Sequence, residues 1–191
     1  MNDDDVRHKH TKTNKVESLI SWQPPLAEWI LLNTDGAAKG NPGPARAEGV
    51  FRGSNGNWIL GYSEGVGTCT STRAEVRAIL RGLKLVRERN MKRVWVQTDA
   101  LVVVGMIKGQ ASWNIEVSPV IQQCKLLMGL NDWEITIPHC YRETNQVANL
   151  LANLGVKYNA SVAIFESPPT EVYDALYANR LGVAWARQIS K

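Results

Sequence analysis

Cysteine is scarce. The 191-residue chain holds three, Cys69, Cys124 and Cys140, odd in number and without a CxxC spacing. That set argues against a disulfide framework and reads as reduced, unpaired thiols of an intracellular protein. Long apolar runs are missing as well: no stretch approaches the ~20 residues that a membrane-spanning helix needs. No secretory leader is legible, because MNDDDVRHKHTKTNK has no apolar core, and its three consecutive aspartates argue against an organellar transit peptide. The nucleus or the cytoplasm is therefore the expected compartment, with no membrane partner. Internal repeats and low-complexity blocks are also lacking. What the chain does have is 44% hydrophobic residues, enough for one globular domain with tails. A net charge of +4 and a pI near 9.0 permit an acidic partner without requiring one.

Residues 1–20 are polar and charge-rich without periodicity, the pattern of a disordered tail. A domain is expected over residues 21–160, followed by a C-terminal extension, 161–191, with a short helix after Thr170. Inside the domain, WQPPLAEW reads as an extended lead-in, because paired prolines exclude helix. WILLNTD (29–35) is a nearly continuous apolar strand that ends on Asp35. ARAEGVFRG and NWILGYSEGVG are two strands joined by SNGN, whose Asn-Gly pair signals a hairpin. STRAEVRAILRGLKLVRER (71–89) aligns Val76, Ile79, Leu80, Leu83 and Val86 on one stripe and is the clearest helix. RVWVQTD (93–99) is a strand that again ends on an acid, and ALVVVGMIKG and VSPVIQQCKLLMGL are helices. WEITIPHC (133–140) is the last strand, and TNQVANLLANLGV is a helix with Val147, Leu150, Leu151 and Leu154 inward. The order predicts an α/β layer with an antiparallel start.

Each of three acids has a structural reading. Asp35 precedes Gly36 and can begin an Asp-Gly turn. Thr72 and Glu75 fit a capping box at the start of the long helix. Asp99 can cap the helix that follows it. Taken together they suggest chemistry instead. Two stand at the ends of separate strands and one in the first turn of a helix packed on that sheet, and ligands bind at the open end of such sheets. Converging carboxylates repel one another and lose solvation unless a cation neutralises them. Oxygen-only ligands suit Mg²⁺ or Mn²⁺, and two such ions ~4 Å apart act on phosphodiesters.

Four ordered stretches, NTDGAAKGNPGPA, STRAEVRAILRGLKL, VWVQTDA and HCYRETNQVANLLANLG, resemble the ribonuclease H domain. They are most similar to the form found in plant retroelement-type reverse transcriptases and their stand-alone relatives. The likeness runs from about Trp22 through Tyr158, and SPPTEVYDALYANRLGVAWAR resembles the Pro-Pro segment that follows these plant domains. The resemblance implies a ribonuclease H-like α/β fold: a five-stranded mixed sheet, its first three strands antiparallel, flanked by helices. It implies hydrolysis of the RNA strand of an RNA–DNA hybrid with two Mg²⁺ ions, or Mn²⁺ as a substitute. Asp35, Glu75 and Asp99 fall on catalytic, metal-ligating carboxylates, and His139 on a mobile histidine that assists proton transfer or product release. Asn41 falls on a contact to the nucleic-acid backbone and Thr70 near a pocket for a DNA-strand phosphate. Ser71 and Thr72 fall where relatives read the minor groove. Asn145 matches the asparagine of the last motif and is counted with these nucleic-acid contacts.

Two departures qualify the likeness. Four residues after that asparagine the family carries a fourth carboxylate, and here Asn149 takes its position as a catalytic and metal-ligating residue without charge. A formal charge of −3 instead of −4 implies weaker binding of the second metal and reduced activity. Between MIKG and the next helix, QASWNIEVSPV replaces the extra helix and basic protrusion of the bacterial form. Trp113 is kept there as a candidate hybrid contact, whereas Trp29, Trp95 and Trp133 lie in strands and suit core packing. Arg73, Arg77, Arg81 and Lys84 make a basic stripe, read either as a solvated face or as a contact to duplex phosphates. Two other classes stay open: an impaired nucleic-acid-binding module, which Asn149 favours, and a protein-interaction domain docking through the Pro-Pro segment.

Overall fold

The computed structural model describes residues 15–155 and 161–190. In chain order its elements are β1 (Lys15–Ser21), β2 (Ile30–Ala38), β3 (Gly43–Arg52), β4 (Trp58–Cys69), α1 (Ser71–Glu88), β5 (Arg93–Thr98) and α2 (Leu101–Lys108). These are followed by α3 (Ser118–Met128), β6 (Glu134–Thr136), α4 (Gln146–Gly155), β7 (Val162–Phe165), α5 (Tyr173–Arg180) and β8 (Ala184–Ser190).

β2 is buried from Leu31 to Gly36, as a strand covered on both faces must be. It pairs antiparallel with β3, and β3 with β4, while β5 runs parallel to β2 and β6 parallel to β5. The hairpin between β3 and β4 turns through residues 53–57, where Gly56 takes a φ of +71°. The resulting order β6-β5-β2-β3-β4-β7 contains the expected five-stranded mixed sheet, with β7 added antiparallel to β4. Residues 109–117 join α2 to α3 without an intervening helix.

Helices cover both faces. Val76, Ile79, Leu80, Leu83 and Val86 of α1 are all buried against Leu32, Phe51 and Tyr62, with α2 and α3 extending the same core. Removing each such side chain from water contributes about 1.5–3 kcal/mol. The Tyr62 hydroxyl crosses this seam and donates to the Ala78 carbonyl (2.6 Å). On the other face, Val147, Leu151 and Leu154 of α4 pack with Val50 of β3 and with Val172 and Leu176.

Four expectations change. β2 does not end at Asp35 but continues to Ala38. The strand expected over 133–140 is ordered as β6 for three residues only, because Pro138 lacks the ladder N–H, and one parallel bridge then joins His139 to Thr98. Residues 15–20, expected in the disordered tail, lie in β1, which pairs with β8 from Lys15–Ser190 to Ser21–Ala184. A partner so distant in sequence leaves no local signature. The extension is likewise not an appendage: β7 joins the main sheet, and α5, expected after Thr170, packs on the α4 core. The tail reading for residues 1–14, and the domain end at 160, fall outside the described residues.

Candidate active site

Asp35 leads to Gly36, and the glycine is not a turn residue. A Cβ at Gly36 would collide with the backbone of Ala74 and Glu75. Its absence lets the first turn of α1 come down onto β2, which brings Glu75 beside Asp35. α1 starts where it does because Thr70 is its N-cap: the Thr70 side chain accepts from the Arg73 N–H (3.3 Å). The capping box on Thr72 and Glu75 therefore does not form. Glu75 instead accepts a hydrogen bond from the Thr98 hydroxyl (3.1 Å). The same hydroxyl accepts from the Ala100 N–H (3.1 Å), so Asp99 is not needed as a cap, and α2 begins without a side-chain cap.

Released from those structural duties, Asp35, Glu75 and Asp99 converge, each offering an oxygen within 4.8 Å of the others. Burial, then the charge of Asp99, raises the Asp35 pKa to about 6, against a pull downward from the Arg142 guanidinium. Burial holds Glu75 well above the usual carboxylate range, with Asp35 and Asp99 adding to the effect and the Thr98 hydrogen bond opposing it. Hard oxygens, like charges and little water make a donor set that fits a divalent cation such as Mg²⁺ or Mn²⁺.

His139 borders this cluster. Its Nε2 is 3.3 Å from the Asp99 carbonyl, and its ring meets Tyr141 edge-on at 5.5 Å. Asn41 lies at the start of α1, where its side-chain oxygen accepts from the Ser71 N–H (3.1 Å). Asn41, Thr70, Thr72, Ser112, Trp113 and Asn114 line a groove of about 430 Å³ there. Asn145 does not join them. It is 1% exposed, and its amide donates to the Thr34 carbonyl (2.8 Å), so it pins α4 to β2 and is closed to a nucleic acid. Asn149 is half-buried, one helical turn beyond it. The basic stripe is largely occupied: Arg77 and Arg81 lie 2.7 and 3.9 Å from Glu64, and Arg73 lies 4.0 Å from Glu116. Trp29 and Trp95 pack on one another at 5.7 Å, and Trp133 against the main core. All three cysteines are free and buried.

Three residues that shape the site were not singled out from the sequence. In the sequence Gly36 fits turn chemistry and Thr98 a strand, although both acid-ending strands read Thr-Asp. Glu48 lies directly across the ladder from Asp35, fully buried. Its only sequence signal is an acid inside an otherwise small and apolar strand.

With this geometry in hand, the likenesses to other proteins are specific. Residues 33–155 match the family model described as reverse transcriptase-like. Over 92% of its length the chain is 34% identical to an Arabidopsis thaliana protein named for ribonuclease H, and it spans 28% of that relative. It is 29% identical to a ribonuclease HI of Halobacterium salinarum, covering 69% of this chain and 66% of that one. The solved structure of LC11-RNase H1 in complex with an RNA/DNA hybrid superimposes with a TM-score of 0.62 at 25% identity, covering 68% of this chain and 97% of the other. The chain belongs to the reverse transcriptase-like family, as a ribonuclease H domain of the plant retroelement type.

Proposed function

We propose that the domain hydrolyses the RNA strand of RNA–DNA hybrids, with Mg²⁺ held by Asp35, Glu75 and Asp99 and by the neutral amide of Asn149. The observation that carries this reading is the convergence of three carboxylates within 4.8 Å of one another, with Asp35 and Glu75 desolvated by burial. Bound there, a pair of divalent cations would supply an activated water and a counter-charge for the leaving oxygen. The chain's own residues prepare the site. Gly36 keeps α1 against β2, and Thr98 fixes the rotation of Glu75. His139, beside Asp99, offers an imidazole to carry a proton to or from the reacting phosphodiester. The groove of Asn41, Thr70, Thr72 and Trp113 supplies amide, hydroxyl and aromatic contacts for a nucleic-acid strand at the N-terminus of α1. A hybrid substrate is supported by the similar protein whose structure holds one.

Cleavage of an end-labelled RNA–DNA hybrid in Mg²⁺ and in Mn²⁺, beside Asp35→Asn, tests the reading. Cleavage that disappears in Asp35→Asn is expected, with Mn²⁺ outperforming Mg²⁺ until Asn149→Asp restores the missing charge. No cleavage with either cation, before or after Asn149→Asp, would sink the hydrolase. A binding module, favoured by the uncharged amide at position 149, or a protein-interaction domain would then be left, and salt-sensitive hybrid binding separates the two.

A further inference from the structure

We infer that the ribbon of β1 and β8 holds the His139 loop against the acid cluster through Arg187, a positioning residue of the site. Both strands lie outside the residues 33–155 that the family model matches, and among the described residues the ribbon shares no ladder with the six-stranded sheet. It meets the rest of the domain at the loop that carries His139, where β1 lies against the Arg142–Thr144 turn. The ends of that loop are fastened to central strands: the Cys140 N–H donates to the Thr98 carbonyl (3.1 Å) and the Asn145 amide to the Thr34 carbonyl (2.8 Å).

The middle of the loop is gripped by β8. Arg187 Nη1 donates to both carboxylate oxygens of Glu143 (2.7 and 2.6 Å), and its guanidinium lies over the Tyr141 ring at 4.5 Å. Tyr141 in turn presses its ring against His139 at 89°. A planar cation can pair with a carboxylate and stack on an aromatic face at once, which an ammonium does less well. The chain of contacts Arg187, Tyr141, His139 thus runs from β8 to the backbone carbonyl of Asp99, one of the three acids. Holding one imidazole orientation beside the reacting groups raises the fraction of productive encounters without adding substrate contacts, so its loss falls on kcat and not on KM.

The kinetic arm of the test rests on the role proposed for His139; the spectroscopic arm does not. In the full chain, the His139 imidazole signal is assigned by NMR with His139→Gln and followed in Arg187→Ala and Arg187→Lys, together with hybrid cleavage. Arg187→Ala is expected to shift or broaden the signal and to lower kcat by about five- to tenfold, a positioning-sized loss, with KM within about twofold. Arg187→Lys should recover part of both. Should Arg187→Ala fail to fold, Glu143→Gln removes the charge from the other side of the pair and takes its place. A His139 signal identical to wild type in the variant overturns the inference, whatever the rate. If the wild-type chain cleaves no hybrid, the proposed function falls, and the imidazole signal alone decides the role of Arg187.

Discussion

At the scale of single residues, two buried acids face each other across the β2–β3 ladder, and their titration opposes folding. Glu48 is wholly buried: one oxygen accepts from the Ser63 hydroxyl (3.1 Å), and the other has no hydrogen-bond partner among the described residues. Burial raises Glu48 from its ordinary 4.5 to about 8 and Asp35 from 3.8 to about 6. Below the ordinary values both groups are protonated in either state and contribute no pH dependence. Between the ordinary and the raised value the folded chain holds a proton that the unfolded chain has released, so stability falls as pH rises. The fall runs from about 4 to about 6 for Asp35 and continues to about 8 for Glu48. It amounts to roughly 3 kcal/mol for Asp35 and at most about 5 kcal/mol for Glu48. Thermal melts in chelator should therefore lose midpoint steadily from pH 5 to pH 8, and Glu48→Gln should flatten that slope. Added Mg²⁺ acts in the other sense, because it binds the ionised cluster, so the stabilisation it confers should grow with pH. Equal slopes for the wild type and Glu48→Gln would refute the role given to Glu48.

At the scale of elements, the site depends on how closely a helix approaches a strand. Gly36→Ala puts a methyl group into the backbone of Ala74 and Glu75, which cannot yield without moving the start of α1. It should cost about 3 kcal/mol or more and reduce cation binding, since Glu75 moves with the helix. Gly65→Ala, whose added carbon would meet the Arg46 side chain no closer than 3.7 Å, should change stability by less than about 1 kcal/mol. Denaturant melts and calorimetric Mg²⁺ titration of both variants check the contrast. The same glycine marks the limit of what could be read from the sequence. α1, α4 and β5 are legible because their apolar residues repeat at a helical or strand period, and β2 because its apolar run is nearly continuous, as in a strand covered on both faces. The three acids were legible as a set because each lies at or near an element's end. The reason Gly36 follows Asp35 was not, because the atom it makes room for is far along the chain. The sequence pattern puts the cap of α1 at Thr72, whereas the structure puts it at Thr70, two residues earlier in a run of three hydroxyl side chains. The burial of Asn145 likewise depends on where α4 meets β2, which no local pattern reports.

At the scale of the whole molecule, the segment after residue 160 closes the domain. β7 covers the outer edge of β4, and the Trp58 indole donates to the Phe165 carbonyl (3.0 Å). α5 supplies Asn179, whose side-chain oxygen accepts from Arg52 (2.6 Å), while Asn33 of β2 accepts from the other arm of the same guanidinium (2.6 Å). The lead-in completes the cage: Trp22 lies over the guanidinium at 3.8 Å and donates to Asn33 (3.3 Å). One buried cation thus ties together the lead-in, two central strands and α5. Burial lowers the Arg52 pKa to about 9, so its stability as a cation depends on these partners. Asn179→Leu removes one of them at near-constant volume and should cost about 2–3 kcal/mol. Ending the chain at residue 160 removes Asn179, β7 and the apolar cover of α4 together, baring an edge strand and the face around Val50 and Leu151. That shortened chain should be insoluble or melt far below the full chain, with Asn179→Leu falling between them. An unchanged melting temperature for the shortened chain would mean that the segment is a separable tail, and that the Arg52 cage does not bear on folding.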